Sequence, residues 1–164
     1  MEEKALGYAN AVGLVLGDCL GFGVDGSVWI MHGKAGVDAR AVKLHRNKVA
    51  YACERDCYLR LAEVGLVHVR GLAIPQYLRH DSTWMTIEMT LVRPPFLVDF
   101  ASATLDQPLE FDESIWADWE ADREEKFGSC WPEVKRVLYE LEDLGIYLSD
   151  VHPGNLVFAA PTSE

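Results

Sequence analysis

Tyr147-Leu148-Ser149-Asp150-Val151-His152-Pro153-Gly154-Asn155-Leu156-Val157-Phe158 sets an acid and an amide five positions apart, with Pro153 and Gly154 between them. A Pro-Gly step bends the backbone, so the side chains of Asp150 and Asn155 can turn toward one point. A short apolar run follows. The spacing suits a phosphotransfer loop, in which a carboxylate receives the proton of an attacking hydroxyl and an asparagine oxygen holds a metal on nucleotide phosphates. Asp and Asn also cap ordinary turns, so the meaning of the stretch depends on what precedes it.

Working back toward the start, Leu20-Gly21-Phe22-Gly23-Val24-Asp25-Gly26-Ser27-Val28-Trp29 contains G-x-G-x-x-G followed by valine. Glycines let the backbone fold over phosphates and offer N–H groups to their oxygens. A dinucleotide-binding loop would need a helix directly afterwards, whereas Ser27 to Met31 is β-prone and residues 32–36 read as a turn. An ordinary hairpin would also account for these glycines. A third short strand, Asp38 to His45, carries Ala41-Val42-Lys43, and its lysine is either a phosphate-reaching cation or an exposed edge residue. From Asn47 to about Val64 the spacing of apolar residues predicts a helix that includes Glu54 and closes at Gly65.

Two further strands are expected at 72–78 and 83–89 around the turn His80-Asp81-Ser82. Leu91-Val92-Arg93-Pro94-Pro95-Phe96 then breaks regular structure. Asp99-Phe100 is read as a turn or cap followed by a packing residue. An acidic amphipathic helix is expected from about 112 to 127, with Ile115, Trp116, Trp119 and Phe127 available for packing. A second helix with Pro132 in its first turn and Gly145 as its stop leads into the Asp150 stretch.

The chain has 164 residues, 49% of them hydrophobic and 25% charged, with a net charge of -11. That balance fits one well-buried core or two small lobes. The acidic charge disfavours nucleic acid and anionic membrane as partners. No apolar run is long enough to span a bilayer, and the start Met1-Glu2-Glu3 differs from a secretory signal, so a cytoplasmic protein is expected. Cys19, Cys53, Cys57 and Cys130 lack metal-ligand spacing and read as free, mostly buried thiols.

Taken in order, Gly21/Gly23/Gly26, Lys43, Glu54, the proline-rich break, Asp150 and Asn155 resemble the protein-kinase-like superfamily over about residues 13 to 158, and within it the minimal, truncated bacterial members. The resemblance implies an α+β, two-lobed fold, with a five-stranded antiparallel N-lobe sheet plus one helix and a reduced helical C-lobe. Residues 1–92 would form the N-lobe and 93–164 the hinge and minimal C-lobe, together one domain. It further implies ATP and Mg²⁺ as cofactors, the glycines over the phosphates, Lys43 on the α- and β-phosphates and paired with Glu54, and Glu88 to Thr90 at the adenine-contacting hinge. Asp150 would be the catalytic carboxylate and Asn155 the metal ligand.

There are departures from the family pattern. Only about ten residues separate Lys43 from Glu54, and no D-F-G, activation segment or A-P-E follows Asn155; the Asp99-Phe100 pair lies before the loop. Three readings stay open: a minimal ATP-binding phosphotransferase acting on a hydroxyl, with or without a protein partner completing the site; a catalytically inactive pseudokinase serving as a binding module; and an unrelated α+β interaction domain.

Overall fold

The computed structural model describes residues 1–34, 36 and 38–158. A helix, α1 (Glu2–Val12), precedes three strands, β1 (Leu14–Phe22), β2 (Gly26–Gly33) and β3 (Arg40–His45), and a second helix, α2 (Lys48–Glu63). With β6 (Tyr77–Asp81) and β7 (Thr86–Thr90), these strands form an antiparallel sheet of order β1-β2-β3-β7-β6. The register sets Lys43 between Val28 and Ile87. Period-two alternation then divides the sheet's side chains between two cores. Trp29, Met31, Val42 and Leu44 pack with Ala5, Tyr8 and Ala9 of α1. Ala41, Ile87 and Met89 join the other, larger core, which includes α2.

Helix α2 begins where Asn47 accepts a hydrogen bond from Ala50 N at 2.7 Å, an N-cap that satisfies a backbone donor otherwise left free. Its buried face carries Tyr51, Glu54, Tyr58 and Leu61, spaced at helical period. One buried acid on that stripe is the feature that apolar packing alone does not explain.

The rest of the chain adds β4 (His68–Val69), β5 (Leu72–Ala73), β8 (Phe96–Leu97), β9 (Thr104–Leu105), α3 (Glu113–Phe127), a 3₁₀ turn at Gly128–Cys130, α4 (Trp131–Glu142), β10 (Ile146–Tyr147) and β11 (Leu156–Val157). A small second sheet has the order β11-β8-β5-β4, and β9 pairs with β10. The larger core runs continuously from Ala41 to Leu156, so residues on both sides of position 92 share it. Sheet membership also crosses that position, because β5 pairs with β8, and β4 with β5, rather than joining the five-stranded sheet.

Several local expectations are corrected. The strand expected over 72–78 is interrupted by Pro75, which has no N–H to donate, and β6 resumes only at Tyr77. The turn lies at 82–85 rather than 80–82, because Asp81 Oδ1 accepts from Thr83 N at 2.8 Å and Trp84 N at 3.1 Å. That is the local bonding by which Asp starts turns. Of the apolar residues expected to pack from α3 only Phe127 is buried, while Ile115 and Trp116 stay exposed. All four cysteines are free, as expected, but only Cys57 is buried; burial pushes its thiol up to about 12. Among the described residues no helix is long and apolar enough to cross a membrane.

Helix α1 is tied to the sheet by a charge. The fully buried Glu88 of β7 accepts from Tyr8 Oη at 2.6 Å, Arg79 Nε at 2.7 Å and Arg40 Nη1 at 2.9 Å. Burial acts to raise the Glu88 carboxyl, but these three donors outweigh it and hold it below its ordinary value. Glu88→Gln keeps the shape and removes the charge. It should cost about 2–3 kcal/mol, somewhat under the loss typical of a broken, fully buried pair because Arg79 is half exposed. In a chain of this size that is roughly 5–10 °C in Tm. Because the folded value is depressed, the contribution is present at neutral pH and lost as pH falls through it. Wild type and variant melting curves should therefore converge in strong acid, and a difference independent of pH would contradict the charge account.

Candidate functional site: the cleft over Lys43

A cleft of about 620 Å³ lies between the β1–β2 turn and the C-terminal stretch, within the range of small-molecule sites. Its floor is built from β3. Lys43, 7% exposed at its side chain, lies 2.7 Å from Glu54 Oε2 and 2.8 Å from Asp99 Oδ1. Burial pulls the Lys43 ammonium down, but the Glu54 and Asp99 carboxylates together outweigh it and leave it raised. The lysine is charged at neutral pH and aimed by two acids.

Glu54 is the hub of this arrangement. Its Oε2 also lies 2.7 Å from His45 Nε2, and its Oε1 accepts from Phe100 N at 3.3 Å. One turn further along α2, Tyr58 packs edge-on against Phe100, with ring centroids 5.2 Å apart. The i and i+4 positions share one helix face, so a single face of α2 fixes both the lysine strand and the Asp99-Phe100 segment.

Asp99 keeps the expected turn role and adds a second one. It has φ 69°, a left-handed conformation that Asp and Asn tolerate better than other side chains. Its Oδ1 accepts from Ala101 N at 3.1 Å as well as from Lys43. Burial acts to raise its carboxyl, and Lys43 more than offsets this and holds it low. With 38% of its side chain exposed, Asp99 presents a carboxylate to the cleft.

The strand leading into Asp99 and the strand leaving Asn155 are neighbours. β8 pairs antiparallel with β11, Leu97 opposite Leu156 and Phe96 opposite Val157, and Val98 N donates to Asn155 O at 2.8 Å. Asn155 thus pairs with Val98, the residue before Asp99, and both Asn155 and Asp99 line the cleft although 56 positions separate them. The Asn155 Nδ2 is buried and has no hydrogen-bond partner among the described residues, a situation rare in folded proteins unless a ligand or water is bound there. Asp150 also lines the cleft, more than half exposed, with His152 Nε2 3.9 Å from its Oδ2. Gly154 N donates to His152 Nδ1 at 3.0 Å, so the Pro153-Gly154 bend orients the imidazole as well.

The glycines divide into two kinds. A Cβ on Gly26 would lie 2.0 Å from the Leu44 carbonyl oxygen, so the close approach of β2 and β3 demands that glycine. Gly21 and Gly23 have open space where a Cβ would be, and nothing in the fold itself requires them. All three line the cleft, with Gly23 N bonded to Gly26 O at 2.9 Å to close the turn.

At the expected hinge the structure separates two residues. Thr90 lines the cleft, with its N–H donated to Gln76 O and its hydroxyl accepting from Gln76 N. Glu88 does not line it. Its carboxylate faces α1 and its backbone lies in the sheet between Val42 and Arg79, so the hinge role given to Glu88 is withdrawn; Leu91 and Val92 border the cleft instead. Sequence reasoning also missed His45 and His152. The signal for His45 was its place two positions from Lys43, on the same strand face. Comparison with protein-family models, curated proteins and solved structures gave no match, so the reading of the cleft rests on its own geometry.

Proposed function

We propose that the chain is a kinase-like protein that binds Mg-ATP in this cleft and transfers phosphate to a hydroxyl, with Asp99 supplying the metal carboxylate that seemed missing. The observation carrying this reading is the convergence of Lys43, Glu54 and Asp99 beside Asn155 and Asp150. In kinases the metal-binding Asp-Phe pair follows the catalytic loop. Here the pair comes first along the chain and β8–β11 pairing returns it to the loop. We read the site as a kinase constellation assembled in a permuted chain order.

The residues fit the cofactors. Among the described residues no cluster of three or more His, Cys, Asp or Glu side chains could hold a metal, and none is required. Mg²⁺ sites of nucleotide enzymes use one or two carboxylates together with substrate phosphates rather than an all-protein cage. Asp99 and Asn155 would hold the ion, and the unpartnered Asn155 amide and the open space at Gly21 and Gly23 support a phosphate-bearing guest. When bound, Mg²⁺ would supply charge neutralisation on the phosphates.

The protein's own groups do the rest. Lys43, held by Glu54, presents a fixed ammonium to phosphate oxygens. The glycine turn covers them with N–H groups, and Leu91 and Val92 border the apolar end of the cleft. Asp150, exposed and next to His152, is positioned to take a hydroxyl proton.

A melting scan with and without Mg-ATP tests the reading. A ligand that binds only the folded state adds about 2.7 kcal/mol at a hundredfold excess over Kd, roughly 5–10 °C here. Absence of any shift at millimolar nucleotide would remove it.

A further inference from the structure

A second cavity, of about 330 Å³, lies on the far side of the Asp150 loop, between α3, α4 and β10. Its wall is aromatic. Trp116 and Trp119 meet edge-on at 5.5 Å, Trp119 and Trp131 at 6.0 Å, and Tyr139 and Tyr147 complete the lining. Trp116 and Tyr139 remain exposed, at 36% and 61%. Aromatic side chains left open in a concave site are unusual enough to suggest a ligand.

The charges indicate which ligand. This wall already holds cations on its ring faces: Lys135 Nζ stands 5.6 Å from the Trp131 centroid and the Arg123 guanidinium 5.2 Å from that of Trp119. Lys135 is matched by Glu120 at 3.0 Å. Glu142, which also lines the cavity, has no cation within 4 Å among the described residues. Partial burial, with Asp143 adding to it, raises the Glu142 carboxyl, as expected of an acid whose counter-charge is missing.

From this we infer that the cavity between α3, α4 and β10 binds a small organic ammonium ion with an apolar or aromatic body, its cation facing Glu142 and the indole and phenol rings. Cation–π contact with such rings combined with a carboxylate is the usual chemistry for this class. The site lies next to the nucleotide cleft but is separate from it. Trp119 Nε1 donates to Ser149 O at 3.2 Å, immediately before Asp150, so an occupant bears on the loop from behind. The inference does not depend on nucleotide binding.

The test uses the full chain without nucleotide. Benzyltrimethylammonium, benzyl alcohol and benzoate are each titrated by calorimetry and by tryptophan emission. The cation should bind saturably in the submillimolar range, the neutral and anionic analogues at least tenfold more weakly. Glu142→Gln, which keeps the volume, and Trp116→Ala, at an exposed ring, should each weaken the cation by about fivefold or more while leaving the melting temperature within a few degrees. No saturable binding of the cation by about 10 mM would overturn the inference. Equal binding of benzyl alcohol or benzoate, or wild-type affinity in Glu142→Gln, would do the same.

Discussion

Asp150→Asn should lower phosphotransfer by about 10²- to 10⁴-fold, the usual contribution of a positioned general base, while nucleotide affinity stays nearly unchanged. Asp150 is more than half exposed, and its only ion-pair neighbour among the described residues is His152 at 3.9 Å. The fold therefore loses little when the charge is removed, and Lys43, Glu54 and Asp99 keep their contacts with one another. A fall in kcat and kcat/KM together marks an interaction made only in the transition state. Single-turnover transfer with wild type and variant is the check. Equal rates would assign the turnover to a contaminant and leave a nucleotide-binding module without catalysis.

The second large effect is expected at Asp99. Asparagine tolerates the left-handed backbone at this position, and Lys43 retains Glu54, so Asp99→Asn should fold normally. What it loses is a carboxylate beside Asn155. Removing an ion's direct ligand should weaken Mg-ATP by at least the roughly 10- to 100-fold that outer-shell partners alone cost. ATP without metal should behave oppositely, binding as well as before or better, because a negative charge facing the phosphates has gone. The opposite signs separate a metal ligand from a merely structural acid, whose loss would weaken both forms alike.

Much of the five-stranded sheet could be read from the sequence because its strands are rich in β-prone residues and are set off by glycine and turn signals. Lys43 and Glu54 were legible from their order, a lysine on the third strand and a glutamate on the helix after it, although only the structure shows Glu54 on the buried stripe of that helix. The small second sheet was not. β5, β8 and β11 are two residues long, too short for any periodicity, and their pairing is long-range. That hid Asp99, whose D-F pair was plain in the sequence but was judged by its place along the chain rather than by the strand beside it. Glu88 was misplaced for a related reason. Its position near the end of β7 suited a hinge, and only the three-dimensional meeting of Tyr8, Arg40 and Arg79 shows that its carboxylate serves α1. Of the helix α3 tryptophans expected to pack, Trp119 does lie against the larger core while Trp116 stays exposed, because an amphipathic pattern does not distinguish a packed face from the wall of an open cavity.

The central claim, a metal-nucleotide site in which Asp99 and Asn155 act together, is tested most directly by the water-proton relaxation enhancement of Mn²⁺ with ATP, titrated with wild type and with Asp99→Asn. The account predicts a strong enhancement on adding wild-type protein to Mn-ATP and its loss in the variant at the same concentrations. An absence of enhancement with wild type, or an undiminished one with Asp99→Asn, would contradict it.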